Sequence, residues 1–377
     1  MNKAIYLATL LLTILFLSFH RLDTSSSTYH SIEELRHAYE RPASLWPTPT
    51  LDSTAVFTEL GALLSPPLID KKDRNKVELG KLLFYDPRLS SSNKIACATC
   101  HIDSEHWADK ETLAIGHEGL VGTRNTPTIE NVWIQKELFW DGRANSLQEQ
   151  QMMSIENHVE MFQDIDSLPV KIATIKGYQK HFKKTYGTTV ITKDRILDAI
   201  ALFQKTIVSN PTPFDNFVNG DYQSLSDQQV HGLHLFRTKA RCINCHNGPY
   251  FTDLQYHNEG FTFYKRKIED LGRYNVTHKA ADVGKMKTPG LRNVLHTGPW
   301  FHQGIFPTIE SVIGMYNVGM NTPYRREEYK NDSLFPITSP LIKKLGLTKE
   351  EQLAIIAFLQ ALSSKPMLID KPKLPEK

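Results

Sequence analysis

Two pentapeptides, Cys97-Ala98-Thr99-Cys100-His101 and Cys242-Ile243-Asn244-Cys245-His246, hold all 4 cysteines of this 377-residue chain. Each reads C-x-x-C-H, the attachment signal for c-type haem. The spacing follows from the chemistry. Two thiols add to the two vinyl groups of one haem, and the adjacent histidine is placed to ligate its iron. A redox dithiol or half of a zinc site also uses C-x-x-C. A zinc ribbon needs its pairs roughly 15–20 residues apart, against about 140 here, and a redox dithiol has no use for a following histidine, twice. The pattern favours two covalent haems, attached at Cys97, Cys100, Cys242 and Cys245, with His101 and His246 as axial ligands.

Length suggests about two domains. A hydrophobic fraction of 40% suffices for sizeable cores, and a net charge of +3 gives no sign of a nucleic-acid partner. Residues 1–21 combine Lys3 with an apolar run from Ala4 to Phe19. That run is short for a membrane-spanning helix and suits the hydrophobic part of a signal peptide. No clear A-x-A cleavage site follows, so an uncleaved N-terminal anchor, and with it a membrane tether, stays open. Export agrees with haem c, which bacteria assemble outside the cytoplasm, and points to the periplasm.

Residues 22–72 read as an extension, with a short amphipathic helix over Ser31–Tyr39 and an extended strap from Pro42 to Pro49. Helical pattern begins near Asp73, where Val77, Leu79, Leu82, Leu83 and Phe84 form an apolar face that ends before Pro87. Thr192–Thr206 places Ile196, Ile200 and Phe203 on one face. Ser226-x-x-Gln229 and Thr348-x-x-Glu351 are capping boxes that open two further helices. Each half is helix, pentad, long middle, closing helix. The expected fold is mainly α, two tandem cytochrome c-like haem domains over residues 73–220 and 221–377.

The halves also repeat in sequence. Thr126-Pro127-Thr128-Ile129-Glu130-Asn131-Val132 matches Thr288-Pro289-Gly290-Leu291-Arg292-Asn293-Val294 at an offset of 162, and the register continues without a gap through Phe139/Phe301, Trp140/His302 and Gly142/Gly304. Between the pentads the offset is 145, so the second half carries 17 extra residues after its pentad. They fall in a charged stretch, 258–282, read as a solvated surface or a docking face for an electron donor.

A pure electron carrier wants both irons closed by strong protein ligands. A catalyst wants one openable iron with acid–base groups beside it. The run Phe139-Trp140-Asp141-Gly142-Arg143, then Gln150 and Val159-Glu160-Met161, argues for a catalyst. Over residues 75–365 the chain resembles the bacterial di-haem cytochrome c peroxidases and the related methylamine-utilisation (MauG-type) enzymes. The motifs behind the resemblance are Leu83-Phe84-Tyr85-Asp86-Pro87-Arg88-Leu89-Ser90, Gly122-Thr123-Arg124-Asn125-Thr126-Pro127-Thr128, Phe139 to Arg143, Val159-Glu160-Met161, and Thr288 to Val294 leading to Phe301-His302-Gln303-Gly304.

The resemblance implies residue roles. The haem at His101 would react with peroxide, with Glu160 as distal acid–base residue, Gln150 as a distal polar neighbour and Trp140 as conduit between the haems. His117 matches a distal histidine that ligates the resting iron. Asn125, Thr297 and Pro299 match positions around a calcium ion between the domains. One departure stands out. Where the peroxidases carry a distal methionine on the second haem, gapless counting places Tyr316, with Met315 one residue earlier. Helix neighbours point about 100° apart, so both cannot face the iron. Tyr316 is the MauG-type pattern, whereas His117 is peroxidase-like.

The implied activity is reduction of hydrogen peroxide to water with electrons from a small c-type cytochrome or cupredoxin. The alternatives are a MauG-type oxidase acting on a protein or organic substrate through a high-valent di-haem state, and a non-catalytic di-haem carrier. A homodimer is left open.

Overall fold

The computed structural model describes residues 29–376, so the reading of 1–21 as an export segment lies outside the described residues. Among these, no helix is long and apolar enough to cross a membrane. The fold is mainly helical, and strands among the described residues amount to one short antiparallel ladder that pairs Tyr256 with Lys287 and His257 with Met286.

Each half is organised on one pair of packed helices. In the first, Arg74–Phe84 lies against Lys193–Gln204, and in the second Asp227–Arg237 lies against Lys349–Ala361. The caps at Ser226 and Thr348 are those expected from sequence, and the structure adds one at Thr192. The hydroxyls of Thr192, Ser226 and Thr348 each accept from the backbone N–H three residues on, and at the latter two Gln229 and Glu351 return the bond. Close approach of each pair depends on a glycine. A Cβ at Gly80 would collide with the Ala199 carbonyl, and one at Gly232 would collide with the Ala354 carbonyl. Behind these contacts, Phe84 and Phe203 sit fully buried in the first core, Phe236 and Phe358 in the second. Each such ring contributes roughly 1.5–3 kcal/mol by leaving water.

The duplication is visible in the backbone. Asn131 and Asn293 both adopt left-handed backbone, and their N–H groups donate to Ile207 and Leu362 carbonyls at 2.9 and 3.0 Å. Isolated bridges pair Leu138 with Ala144 and Trp300 with Phe306. Phe139 and Phe301 share a positive φ of 66° and 71°.

The chain ends cross over between the halves. Ser31 caps a helix at Ile32–Tyr39, and Leu35, Tyr39, Trp46 and Leu60 are buried in the second core, although their sequence precedes the first domain. The second core already includes Phe214 and Phe217. At the other end Ile369 packs on the first core, and its N–H donates to Asp103 Oδ2 at 2.9 Å. The charged stretch 258–282 is not simply solvated. Asn258, Phe261 and Thr262 are buried, and the Asp270 carboxylate accepts from Arg124 Nε and Nη2, both at 2.8 Å. A partner within the chain holds this charge.

Candidate haem sites and the cavity that joins them

The first pentad forms a single helical turn, Cys97–Cys100. A spacing of three residues puts both thiols on one side of such a turn. The Thr99 hydroxyl accepts from Ala96 N at 2.9 Å, and the His101 N–H closes the turn on the Cys97 carbonyl at 3.0 Å. The second pentad repeats the closure, with the His246 N–H on the Cys242 carbonyl at 2.8 Å. Both histidines are oriented by a carbonyl: His101 Nδ1 donates to Trp107 O at 3.0 Å and His246 Nδ1 to Phe251 O at 3.1 Å. That leaves Nε2 of each histidine as the candidate ligand atom, and burial holds both imidazoles below the usual histidine range, as a neutral ligand would need. Burial also pushes the Cys97, Cys100 and Cys242 thiols up to about 12.

One cavity of about 1270 Å³ is lined by both pentads. Four free cysteines and two oriented histidines fit two covalent haems. Buried atoms without a protein partner fit them too. Arg241 Nε, Tyr250 Oη and His302 Nε2 all belong to residues that line the cavity, where haem carboxylates are suitable partners.

Glu160 lines this cavity, together with Gln150 and Trp140. Burial raises the Glu160 carboxyl above its ordinary value, against the opposing pull of Ser154, Asn157 and Arg143. Asn157 Nδ2 donates to Glu160 Oε1 at 2.8 Å, and Gln150 Nε2 donates to Ser154 Oγ at 3.0 Å. Asn157 and Ser154 were missed in sequence, where only the N-x-x-E spacing hinted at the first. His117 does not line the cavity. Its ring lies against Phe162 at 5.1 Å between centroids, while its backbone N–H donates to the Val159 and Glu160 carbonyls at 2.8 and 2.9 Å. The structure therefore brings the backbone of His117, and not its ring, to the Glu160 site.

At the second pentad Tyr316 lines the cavity and Met315 does not. Tyr316 Oη donates to Glu259 Oε1 at 2.6 Å, and burial together with that carboxylate drives the phenol well above its ordinary value. Nothing in the sequence singled out Glu259. Asn125, Thr297 and Pro299 also line the cavity. The Asn125 carbonyl accepts from Trp140 Nε1 at 3.0 Å, and its side-chain nitrogen donates to Glu111 O at 2.8 Å, which leaves Asn125 Oδ1 as an oxygen donor.

Comparison with known proteins completes the assignment. A family model described as di-haem cytochrome c peroxidase matches residues 74–223. The chain is 36% identical over 314 residues to the methylamine utilization protein MauG of Methylophilus methylotrophus, covering 82% of this chain and 89% of that protein. The chain belongs to the di-haem cytochrome c peroxidase family. Another relative in the family is the cytochrome c551 peroxidase of Nitrosomonas europaea, 37% identical over 262 residues, 69% of this chain and 78% of that one. Among solved structures, a MauG-like protein associated with microbial copper homeostasis superposes with a TM-score of 0.71 at 26% identity, covering 82% of this chain and 96% of that one. Family membership carries the two haem c groups with it and makes the chain an oxidoreductase of the cytochrome c peroxidase type, with peroxide as acceptor.

Proposed function

We propose that the chain reduces hydrogen peroxide to water at the His101 haem. The observation that carries this reading is Glu160, a carboxylate raised by burial that shares a cavity with Cys97, Cys100 and His101. Haem iron held by His101 would supply the electrons and the site of O–O cleavage. The rest is protein chemistry. Glu160 takes the proton from the near oxygen of peroxide and returns it to the leaving oxygen. Asn157 holds Oε1 so that the carboxylate stays in place, and Gln150 adds a polar group on the same side. Two electrons and two protons per peroxide yield two waters. The electrons would come from a small c-type cytochrome or cupredoxin through the His246 haem and Trp140. Asn125, Thr297 and Pro299 would hold a calcium ion with oxygen ligands, and the protein would work in the periplasm.

A second reading, MauG-type oxidation of a protein or organic substrate, is favoured by one observation: Tyr316, and not Met315, lines the cavity at the second pentad. A phenolate ligand favours ferric and higher iron states, whereas a thioether raises the potential. EPR of the fully oxidised and half-reduced protein, each with peroxide added, separates the two. Reaction that requires half-reduction, with turnover on a reduced small cytochrome, supports the peroxidase. Direct reaction of the oxidised protein supports the oxidase. Iron closed to peroxide in every oxidation state would overturn both.

A further inference from the structure

The run from Gln135 to Gly142 carries Trp140, and much of what holds it comes from the other half of the chain. The Lys287 N–H donates to Trp140 O at 2.7 Å. Lys287 Nζ donates to Glu137 O at 2.7 Å and also to Gln135 Oε1. Arg273 Nη1 donates to Asp141 O at 3.2 Å, while Nη2 reaches both oxygens of Glu137 at 3.0 and 3.2 Å. Tyr256 donates to the same carboxylate at 2.9 Å, and its ring centroid lies 3.7 Å from the Arg273 guanidinium carbon. Gly142 completes the fit. Its φ is +74°, and any Cβ there would run into Tyr256 Oη and Arg273 Nη1. A second grip is formed by Arg124, which joins Asp270 to Asp141.

All these second-half groups lie within 256–287, the region where the second half is longer than the first. The backbone part of the grip is reciprocal, since the Asn125 N–H donates to the carbonyl of His302, the counterpart of Trp140, at 2.8 Å; the side-chain part, from Arg273, Tyr256 and Lys287, is what the longer second half adds. A planar guanidinium that binds a carboxylate, a carbonyl and an aromatic face at once fixes orientation as well as distance.

We propose that Arg273, with Tyr256 and Lys287, is a positioning residue for electron passage through Trp140: the extra segment of the second half clamps the bridge at a fixed separation from the second haem. This rests on the reading above that Trp140 lies on the route between the haems. The step moves one electron from one iron to the other and makes or breaks no bond.

The test uses the full chain with both haems loaded, following interhaem electron transfer after flash reduction. Arg273→Ala is expected to slow transfer severalfold, because electron tunnelling falls exponentially with the separation that the clamp fixes. Haem content and the EPR signals of both haems stay unchanged. Arg273→Lys keeps the charge without the fork and restores only part of the rate. A wild-type transfer rate in Arg273→Ala with normal spectra would overturn the clamp. Should Arg273→Ala load only one haem, Glu137→Gln, which keeps the shape and removes the charge, is read in the same way. Trp140→Phe separates the two layers. Unchanged transfer in Trp140→Phe removes the route and the clamp together. Slowed transfer in Trp140→Phe beside normal transfer in Arg273→Ala removes the clamp alone.

Discussion

The Tyr316 hydroxyl donates to the Glu259 carboxylate at 2.6 Å, on the wall of the cavity that holds the second pentad. Burial pushes both groups above their ordinary values. A phenol this deeply buried stays protonated at neutral pH unless a cation lies against its oxygen. In the MauG-type reading the second iron is that cation, and Tyr316→Phe is then expected to change the EPR and optical spectrum of one haem and leave the other as it was. Met315→Leu should change neither, because Met315 does not line the cavity. Spectra of Tyr316→Phe identical to wild type would rule out tyrosine ligation.

Glu160 and its hydrogen-bond partner make a paired prediction. Glu160→Gln should lower peroxide turnover by roughly 10²- to 10⁴-fold with unchanged haem content. In the proposed cycle the carboxylate works ionised, so kcat/KM is expected to fall as pH drops through a Glu160 value held above the ordinary 4.5 by burial. The Asn157 bond opposes that rise by favouring the ionised form. Asn157→Ala removes it, so the acidic limb of the pH–rate profile should move to higher pH. A limb that stays put or moves down would show that another group titrates.

What could be read from sequence divides along a physical line. The pentads, helix caps and repeat follow local rules of spacing and hydrogen bonding, and the helices appear at Lys193, Asp227 and Lys349 as expected. The choice of core for the apolar extension is a tertiary matter. Leu35, Tyr39 and Trp46 would satisfy either core by composition, and they lie in the second. Charge misled in the same way. Asp270 in a Lys/Arg/Asp/Glu-rich stretch reads as solvated, because its partner Arg124 lies 146 residues away. Helical spacing could say that only one of Met315 and Tyr316 faces inward, not which.

The helix pairs offer a matched test of the duplication. An alanine in a helix normally gains up to about 1 kcal/mol over glycine. At Gly80 and Gly232 the new Cβ would meet a backbone carbonyl, Ala199 or Ala354, and neither can rotate away. The clash decides the sign, and overpacking costs typically about 1–3 kcal/mol. Gly80→Ala and Gly232→Ala should each lower the urea midpoint, by similar amounts because the local geometry is the same. A rise in midpoint for either would mean that its helix pair is looser than described.

Asp215 and Arg292 form a buried ion pair beside the second core, with both side chains nearly inaccessible and two bonds of 2.8 and 2.9 Å. The carboxylate also accepts from the Leu63 and Thr212 N–H groups, each at 2.7 Å, and Arg292 Nε donates to Pro249 O at 2.7 Å. One pair thus joins the N-terminal extension, the Pro213–Val218 helix and the loop after the second pentad. Burial alone would raise the Asp215 carboxyl, but Arg292 and Thr212 outweigh it and hold the group below its ordinary 3.8. The native state then binds this proton less readily than the unfolded chain. The contribution of the pair is fully present above about pH 4 and is lost as pH falls through the depressed value. Asp215→Ala leaves the Arg292 charge buried without a partner, which costs about 3–5 kcal/mol. Urea unfolding at neutral pH measures that loss. Repeated at decreasing pH, it should show the gap between wild type and variant narrowing only below about pH 4, and a gap unaffected by acid would show that charge is not what holds this junction together.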